Sequence, residues 1–339
     1  MFVCKTPYRV SFFGGGSDYP RWFNKHSGEV IGSSIDKYSY LITKRVKPQL
    51  YTTNNYKFKV TWNNVSYYQK LREVENVSFR KILFYFFSKS NFKACKSCFN
   101  FTTFSDISSG SGMGSSSAFT ITLLNSLYLL FNVKKSKVTL IQEAVYVEQF
   151  ILQEAVGCQD QALTCFGGLN LIKFYRNNKF KVLTFKNLSK KLLLSEHSHL
   201  FNTGCVRLSS NIASSYLKNV SSNESKIKSY RSFLKDFVHL LCTDSNVGFI
   251  PKSGDLLHKA WLIKKSLTPG ITNSGIDVMY SKACSTAGVV GGKLLGAGGG
   301  GFLFLLSKYK RNPSLNYNLK QHLKLPFNFN NEGTSYTKI

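Results

Sequence analysis

A glycine- and serine-rich segment, residues 106–118, constrains this chain more than any other feature. It reads Asp-Ile-Ser-Ser-Gly-Ser-Gly-Met-Gly-Ser-Ser-Ser-Ala and precedes an apolar run, residues 119–131, whose large side chains recur at helical spacing. A glycine-rich turn that opens a helix collects free backbone N–H groups at the positive end of the helix dipole. Such a point binds phosphate, and we interpret the segment as a phosphate-binding loop. The alternative interpretation is a flexible turn before an ordinary core helix.

The spacing of these glycines excludes two widespread nucleotide-binding loops. No Gly-Lys-Ser or Gly-Lys-Thr closes the segment, so the lysine of a Walker loop is missing. Gly110, Gly112 and Gly114 alternate singly and no sixth-position glycine follows, which departs from the Rossmann fingerprint. The chain is therefore expected to bind its nucleotide in a different architecture.

Length and hydrophobic pattern limit the class of protein. A chain of 339 residues suggests two domains, at about 150 residues each. No uninterrupted apolar run approaches the roughly 18 residues of a membrane span, so no membrane partner is expected. Residues 1–7 lack the charged and apolar blocks of a signal peptide. We therefore expect a cytoplasmic protein.

The charge of the chain is strongly positive, at +28 from 45 Lys and Arg against 17 Asp and Glu. Basic surfaces attract nucleic acid, anionic membranes and phosphorylated ligands alike. The basic residues are spread along the chain rather than gathered in one stripe, which favours solvated lysines with a general attraction to phosphates. A nucleic-acid partner is therefore not expected, although an RNA-binding protein stays an alternative.

Strand and helix signals alternate along the chain without repeats or low-complexity linkers. Strand patterns cover residues 2–13, 29–45, 50–69, 99–105, 169–185 and the end of 288–306. Helical patterns cover residues 77–88, 119–131, 138–154, 208–241 and 255–267, and residues 188–199 resemble a boundary. The mixture predicts an α+β protein of two layered lobes, which we place at residues 1–190 and 191–339.

A second candidate segment covers residues 6–20. It places Arg9 in a strand, then Gly14, Gly15 and Gly16, then Asp18. Glycines let the backbone come close to a ligand while the carboxylate meets it. Arg9 adds a permanently charged group for phosphate or an ion pair. An aspartate after glycines is also an ordinary turn residue, so the segment is ambiguous by itself.

A third candidate segment pairs two acids around a glycine. Glu148 lies inside an amphipathic helical pattern, and Asp160 follows the break at Gly157. One acid could hold a metal ion and the other could act as a base. The alternative is a solvent-facing glutamate and a helix-capping aspartate.

A fourth candidate segment, residues 291–301, contains four consecutive glycines before the strand at 302–306. Glycines beside a buried strand imply a close approach of the backbone. The partner is either a ligand or another segment of the chain.

Together these segments resemble the GHMP kinase superfamily, named for galacto-, homoserine, mevalonate and phosphomevalonate kinases. Its members are similar in having an N-terminal strand with a basic residue, a central Gly-Ser phosphate loop and a C-terminal glycine-rich loop. The details are most similar to the bacterial D-glycero-D-manno-heptose 7-phosphate 1-kinases. The similar segments are residues 7–18, 157–170, 203–207, 261–271 and 292–302.

The resemblance implies an α+β, two-lobed GHMP kinase fold with ATP and Mg²⁺ between the lobes. The N-terminal lobe would be ribosomal protein S5 domain 2-like and the C-terminal lobe ferredoxin-like. Asp160 matches the catalytic aspartate of the family and Arg9 its basic partner. Ser116 and Glu148 match the metal ligands. The residues that would wrap the ATP phosphates are Ser109, Gly110, Ser111, Gly112, Met113, Gly114, Ser115 and Ser116.

The resemblance also implies where the substrate binds. Asp18 matches a sugar-hydroxyl contact of the galactokinase-like branch. The other implied substrate residues are Gly15, Gly16, Arg207, Gly298 and Gly299. A sugar phosphate needs a cationic site as well, for which Lys264 and Lys265 are candidates beside Arg207.

These implications lead to one expected function and two alternatives. The chain is expected to be an ATP-dependent kinase for the anomeric hydroxyl of D-glycero-D-manno-heptose 7-phosphate, serving nucleotide-heptose and surface polysaccharide synthesis. The first alternative is a kinase for an unphosphorylated sugar such as fucose or galactose. The second is a non-catalytic nucleotide- or RNA-binding protein on the same fold. The expected partners are the sugar phosphate and ATP, with a homodimer possible.

Overall fold

The computed structural model describes residues 1–46, 56–89, 97–205, 209–220 and 222–339. The strands are β1 Phe2–Phe13, β2 Gly28–Val46, β3 Phe58–Thr61, β4 Val65–Tyr68, β5 Cys98–Ser105, β6 Leu169–Tyr175, β7 Lys179–Thr184, β8 Ser198–Asn202, β9 Val289–Leu294, β10 Phe302–Ser307, β11 Lys324–Leu325 and β12 Ser335–Lys338. The helices are α1 Pro20–His26, α2 Val77–Ser88, α3 Ser115–Leu130, α4 Lys137–Tyr146, α5 Gln159–Phe166, α6 Leu188–His197, α7 Ser209–Lys218, α8 Glu224–Cys242, α9 Phe249–Lys265, α10 Ser274–Cys284 and α11 Pro313–Asn318.

The first sheet holds the N-terminal half of the chain and its last strand. Its order is β12-β1-β2-β5-β3-β4, with β6 and β7 extending from β2. The strand β1 is buried over most of its length, because helices cover one face and the second lobe covers part of the other. Phe2 pairs with Lys338, so the chain ends beside the strand where it begins. The division at residues 190 and 191 stays a prediction.

Helix α3 forms the centre of the first lobe. It packs against β1 and β2, and 13 of its 16 residues are buried. A helix that is apolar on nearly every side belongs in a core. The glycine- and serine-rich loop therefore leads into a helix that the rest of the lobe holds in place.

The second sheet forms the other lobe. Its order is β11-β8-β10-β9, which is the fourth, first, third and second of its strands in chain order. This antiparallel order is that of a ferredoxin-like βαββαβ unit. Helix α9 packs on β9 and β10, and α8 packs on α9. The two-lobed α+β fold that the sequence predicted is confirmed.

Two sequence predictions of local structure differ from the fold. The helix expected over 138–154 ends at Tyr146, and a wider π-helical turn follows at Val147–Ile151. No helix was predicted over residues 188–199, where the sequence places a boundary, but this segment contains α6; the boundary itself stays a prediction. The Asn187 side chain caps that helix by accepting from the Lys190 backbone N–H at 3.2 Å. Within the described ranges, no helix is both long and apolar enough to cross a membrane.

Candidate active site

The Gly-Ser loop, residues 109–116, takes a conformation that glycine makes possible. Gly110, Gly112 and Gly114 all have positive φ angles, between 73° and 77°. Gly114 is the N-cap of α3, and no side chain caps the first turn of that helix. The backbone N–H groups of this turn are therefore available to an anion at the positive end of the helix dipole.

The remaining predicted residues of the loop divide by exposure. Ser111 and Met113 are buried, and the Ser111 hydroxyl accepts from the Met113 backbone N–H at 3.3 Å. Ser109, Gly110 and Ser116 are exposed. The loop thus has an anchored side and a side open to solvent, where a triphosphate could lie.

The rear glycine loop, residues 296–301, packs directly against the Gly-Ser loop. A Cβ atom on Gly296 would lie 2.6 Å from the Gly112 Cα, and one on Gly301 would lie 2.5 Å from the Ser111 carbonyl oxygen. Phe302 also donates its backbone N–H to the Ser111 carbonyl at 3.2 Å. These glycines serve close packing of two backbones, which was one of the two interpretations left open by the sequence.

Gly298 and Gly299, which the resemblance assigns to the substrate, lie against a different segment. A Cβ atom on Gly298 would lie 2.7 Å from the Ile271 Cα, and Gly299 donates its N–H to the Ile271 carbonyl at 2.8 Å. Their contact with substrate stays a prediction.

Arg9 and Asp160 form a forked ion pair beside the Gly-Ser loop. Arg9 donates from Nε to Asp160 Oδ1 at 2.9 Å, and from Nη2 to Oδ1 and Oδ2 at 2.7 Å each. Its Nη1 donates to the Gly112 carbonyl at 2.6 Å. The Arg9 side chain is 2% exposed, whereas that of Asp160 is 26% exposed. Arg9 therefore holds the carboxylate in one orientation while leaving it accessible.

Asp18 lies close to this pair and is almost completely buried. It accepts hydrogen bonds from the backbone N–H groups of Gly16, at 2.9 Å, and Gln159, at 3.2 Å. Burial, and next the negative charge of Asp160, raise the pKa of Asp18 to about 6. A Cβ atom on Gly157 would lie 1.9 Å from an Asp18 carboxylate oxygen, so only glycine fits there.

The glycines before Asp18 face polar side chains of other segments. A Cβ atom on Gly15 would lie 3.6 Å from the Gln159 side-chain nitrogen. The Gly16 carbonyl accepts from the Tyr216 hydroxyl at 3.1 Å. Gln159 and Tyr216 were missed in the sequence. Tyr216 lies about 200 positions from Gly16 in the chain, with no local pattern to link them.

Glu148 lies on the π-helical turn and is fully buried. Its Oε2 accepts from the Ser117 hydroxyl and from the Gln161 side-chain amide, each at 2.8 Å. Its Oε1 has no hydrogen-bond partner among the described residues. Burial is the main reason why the pKa of Glu148 is raised to about 8. A buried carboxylate oxygen without a donor is suited to a cation, and Mg²⁺ prefers oxygen ligands.

The structure divides the serines that follow Gly114 between two acids. Ser117 contacts Glu148, while the Ser116 hydroxyl lies 3.5 Å from Glu154 Oε2. No hydrogen bond joins Ser116 to Glu148 in the described part of the chain. Ser117 and Glu154 were missed in the sequence, where three consecutive serines gave no reason to prefer one of them. The metal-binding role of Ser116 stays a prediction.

The candidate cations for a sugar phosphate have other described contacts. Lys264 donates to the carbonyls of Leu294, at 3.0 Å, and Gly296, at 2.6 Å. Burial, and next the charge of Arg9, lower its pKa to about 7. Lys265 pairs with Asp277 at 3.1 Å. Arg207 lies outside the described residues. Lys264 thus holds the start of the rear glycine loop.

Comparisons with known proteins agree with this arrangement. The model of the GHMP kinases N-terminal domain matches residues 79–168, and that of the GHMP kinases C-terminal domain matches residues 246–315. The first matched region contains the Gly-Ser loop, Glu148 and Asp160. The second contains Lys264 and the rear glycine loop.

Relatives match the chain over its whole length. A D-glycero-alpha-D-manno-heptose 7-phosphate kinase of Campylobacter jejuni is 26% identical, over 99% of this chain and 98% of the relative. A crystal structure of a D-glycero-D-manno-heptose 1-phosphate kinase from Bacteroides thetaiotaomicron is 20% identical, with a TM-score of 0.79, over 100% of this chain and 99% of that one. A galactokinase of Lactococcus lactis in complex with galactose is 17% identical, with a TM-score of 0.74, over 98% and 94%. The chain therefore carries the N-terminal and C-terminal domains of GHMP kinases and is an ATP-dependent phosphotransferase.

Proposed function

We propose that this protein transfers the γ-phosphoryl group of ATP to the anomeric hydroxyl of D-glycero-D-manno-heptose 7-phosphate. The products would be the 1,7-bisphosphate and ADP, on a route to nucleotide-activated heptose and surface polysaccharide. The observation that carries the proposal is the Arg9–Asp160 pair beside the Gly-Ser loop. A Cβ atom on Gly114 would lie 3.5 Å from the Asp160 side chain, so the acid lies beside the phosphate loop.

The reaction needs a phosphate donor and an oriented hydroxyl. The free N–H groups at the start of α3 would bind the ATP phosphates. Asp160 would accept a hydrogen bond from the anomeric hydroxyl and take its proton as the oxygen bonds to the γ-phosphorus. The bond between that phosphorus and the β–γ bridging oxygen breaks, and the electron pair leaves with ADP. Arg9 keeps Asp160 in place throughout, because three hydrogen bonds from its Nε and Nη2 converge on the carboxylate.

The same site contains residues suited to the cation that accompanies ATP. Glu148 and Ser116 would hold Mg²⁺, and the orphaned Glu148 Oε1 supports this assignment. When held by these residues, Mg²⁺ would offset the negative charge that develops on the phosphates. We also place the protein in the cytoplasm, where ATP is supplied.

The choice of sugar rests on the heptose 7-phosphate kinase relative and on charge. The net charge of +28 attracts a sugar phosphate and ATP alike. Asp18, which lies beside Asp160, would accept a sugar hydroxyl, with Gly15 and Gly16 allowing the ring to come close. A kinase for an unphosphorylated sugar stays the alternative, because the galactokinase with a similar fold binds galactose.

A screen of ADP release tests this function. The purified chain is assayed with ATP and Mg²⁺ on heptose 7-phosphate, heptose, fucose, galactose and mevalonate. We expect ADP release only with heptose 7-phosphate. A ³¹P NMR spectrum of the product should show a phosphate at C1. Faster turnover of a free sugar would assign the alternative, and ADP release with none of them would refute the sugar-kinase function.

The Asp160→Asn variant tests the mechanism. It keeps the size of the side chain but cannot take the proton. We expect turnover to fall about 10²–10⁴-fold, with ATP binding, measured by calorimetry, close to that of the unmodified protein. Near-normal turnover would exclude Asp160 as the base.

A further inference from the structure

The chain turns back on itself directly after the π-helical turn, and this brings a second carboxylate to the Gly-Ser loop. Gln153 has a φ angle of +61°, which is uncommon for a residue other than glycine. Glu154 then donates its backbone N–H to the Glu148 carbonyl at 2.9 Å. As a result Glu154 faces the first turn of α3, with its Oε2 3.5 Å from the Ser116 hydroxyl.

The distance between Ser116 and Glu154 is long for a direct hydrogen bond. Hydroxyl-to-oxygen bonds are usually about 2.7–2.8 Å long. Oxygens that are neighbours around an octahedral Mg²⁺ lie roughly 3 Å apart, because each metal–oxygen bond is about 2.1 Å. The two oxygens are therefore close enough to share one cation after a small movement of either side chain.

Among the described residues neither Glu148 nor Glu154 forms an ion pair within 4.0 Å, and Lys81 attracts Glu154 only from a greater distance. The chain contains 45 Lys and Arg. Nine acidic residues of the described ranges form ion pairs within 4.0 Å: Glu29, Asp36, Glu143, Asp160, Glu196, Glu224, Asp255, Asp277 and Glu332. In the part of the chain that the structure describes, Glu148 and Glu154 have no such pair. Glu148 also keeps a buried oxygen without any partner. Two carboxylates without a close ion pair at one loop leave negative charge that a cation would neutralise.

The number of ligands fits one cation in particular. No group of three or more His, Cys, Asp or Glu side chains suited to a metal occurs among the described residues. Mg²⁺ usually binds through one or two carboxylates and completes its shell with phosphate oxygens and water. Glu148, Glu154 and the Ser116 hydroxyl would supply the protein ligands of such a shell, and phosphate oxygens and water would complete it.

We propose that Glu154 is a second carboxylate for the divalent cation, acting together with Glu148 and Ser116. The role rests on the proposed function, since the cation accompanies ATP. Glu154 would thus tie the cation to the segment that follows the π-helical turn, while Glu148 ties it to the core.

Metal binding tests this role directly. Mn²⁺ is titrated calorimetrically into the full chain, without nucleotide and with a saturating nonhydrolysable ATP analogue. We expect Glu154→Gln to weaken Mn²⁺ binding by about 10–100-fold, and Glu154→Asp, which keeps the charge, to weaken it less. The matched control is Glu75→Gln, which removes the same charge from an exposed glutamate without a described ion pair. It should bind Mn²⁺ like the unmodified protein.

Two results would overturn the role of Glu154. These are equal Mn²⁺ affinity of Glu154→Gln and Glu75→Gln, whether or not both bind more weakly than the unmodified protein, and no Mn²⁺ binding by the unmodified protein. Thermal unfolding of each variant shows whether a loss of affinity comes from a loss of fold. If Glu154→Gln is unfolded, the Mn²⁺ affinity of Glu154→Asp still tests the role. The ADP-release screen on the unmodified protein is independent of these results, so the kinase function can stand while the role of Glu154 fails.

Discussion

The Glu148 carboxyl is expected to make the metal-free protein less stable as the pH rises. The side chain is fully buried, and burial raises its pKa from the ordinary 4.5 to about 8. The unfolded chain therefore ionises this group near pH 4.5, whereas the folded protein holds the proton until about pH 8. The stability that the group contributes is fully present below pH 4.5 and is lost as the pH rises through 8.

The size of the loss follows from the two pKa values. Each tenfold difference in proton affinity corresponds to about 1.4 kcal/mol. The difference between 4.5 and about 8 then lowers the free energy of unfolding by about 5 kcal/mol, most of it between pH 5 and 8. Typical domains have only about 5–15 kcal/mol in total, so the effect is easy to measure. Glu148→Gln keeps the shape and cannot ionise, and it should abolish this loss.

Urea unfolding with EDTA present, at pH 5, 7 and 8.5, provides the measurement. Glu148→Gln should gain several kcal/mol over the unmodified protein between pH 5 and 8.5. Asp18, whose pKa is raised to about 6, titrates in both proteins, so its contribution cancels in the difference. When Mg²⁺ replaces EDTA at pH 8.5, it should stabilise the unmodified protein more than the variant, which lacks one of the proposed ligands. Parallel stability curves for the two proteins would refute the reasoning, as would an equal gain in the exposed control Glu75→Gln.

Three further substitutions test the packing around the site. Arg9→Lys keeps the charge but loses the fork on Asp160; kcat should fall at least about tenfold, and a steady-state kcat within twofold of normal would contradict this. Gly296→Ala places a methyl group 2.6 Å from the Gly112 Cα, and the KM for ATP should rise. Gly204→Ala is the control and should leave this KM unchanged, because φ is also positive there but no atom lies within 4 Å. Lys264→Met leaves two carbonyls without their donor and should lower the free energy of unfolding, measured in urea, by about 2 kcal/mol. Lys265→Met should lower it by at most about 1 kcal/mol, because the ion pair of Lys265 is solvated. Equal losses would contradict a role of Lys264 in holding the rear glycine loop.

Local features of the chain could be predicted because neighbours in sequence determine them. The start of α3 follows from glycines that can adopt positive φ angles and from an apolar run at helical spacing. Helix α2 was predicted over residues 77–88 and has those bounds. Helix α6 carried a signal that was not used, since Asn187 is a typical N-cap residue.

The site itself depends on contacts between distant residues. Arg9 and Asp160 are 151 positions apart, and their fork closes only when β1 and α5 pack on the same helix. The sequence suggested the pair only through a family resemblance, because no local pattern indicates that two residues so far apart in the chain lie close together. The rear glycine loop was ambiguous between ligand and backbone for the same reason. Gly296 packs on the Gly112 backbone, while the contact of Gly298 and Gly299 with substrate stays a prediction.

The amino-acid sequence by itself determined the conformation of the Gly-Ser loop, the helix behind it and the two-lobed class, because glycine torsions and hydrophobic periodicity act over a few residues. Only the tertiary structure decided which serine contacts Glu148, which acid faces Ser116 and what Lys264 holds. Three adjacent serines are chemically identical, and their partners depend on the rotation of α3 against the π-helical turn. Side-chain direction in a packed core is set by all the elements around it, and a single segment does not contain that information.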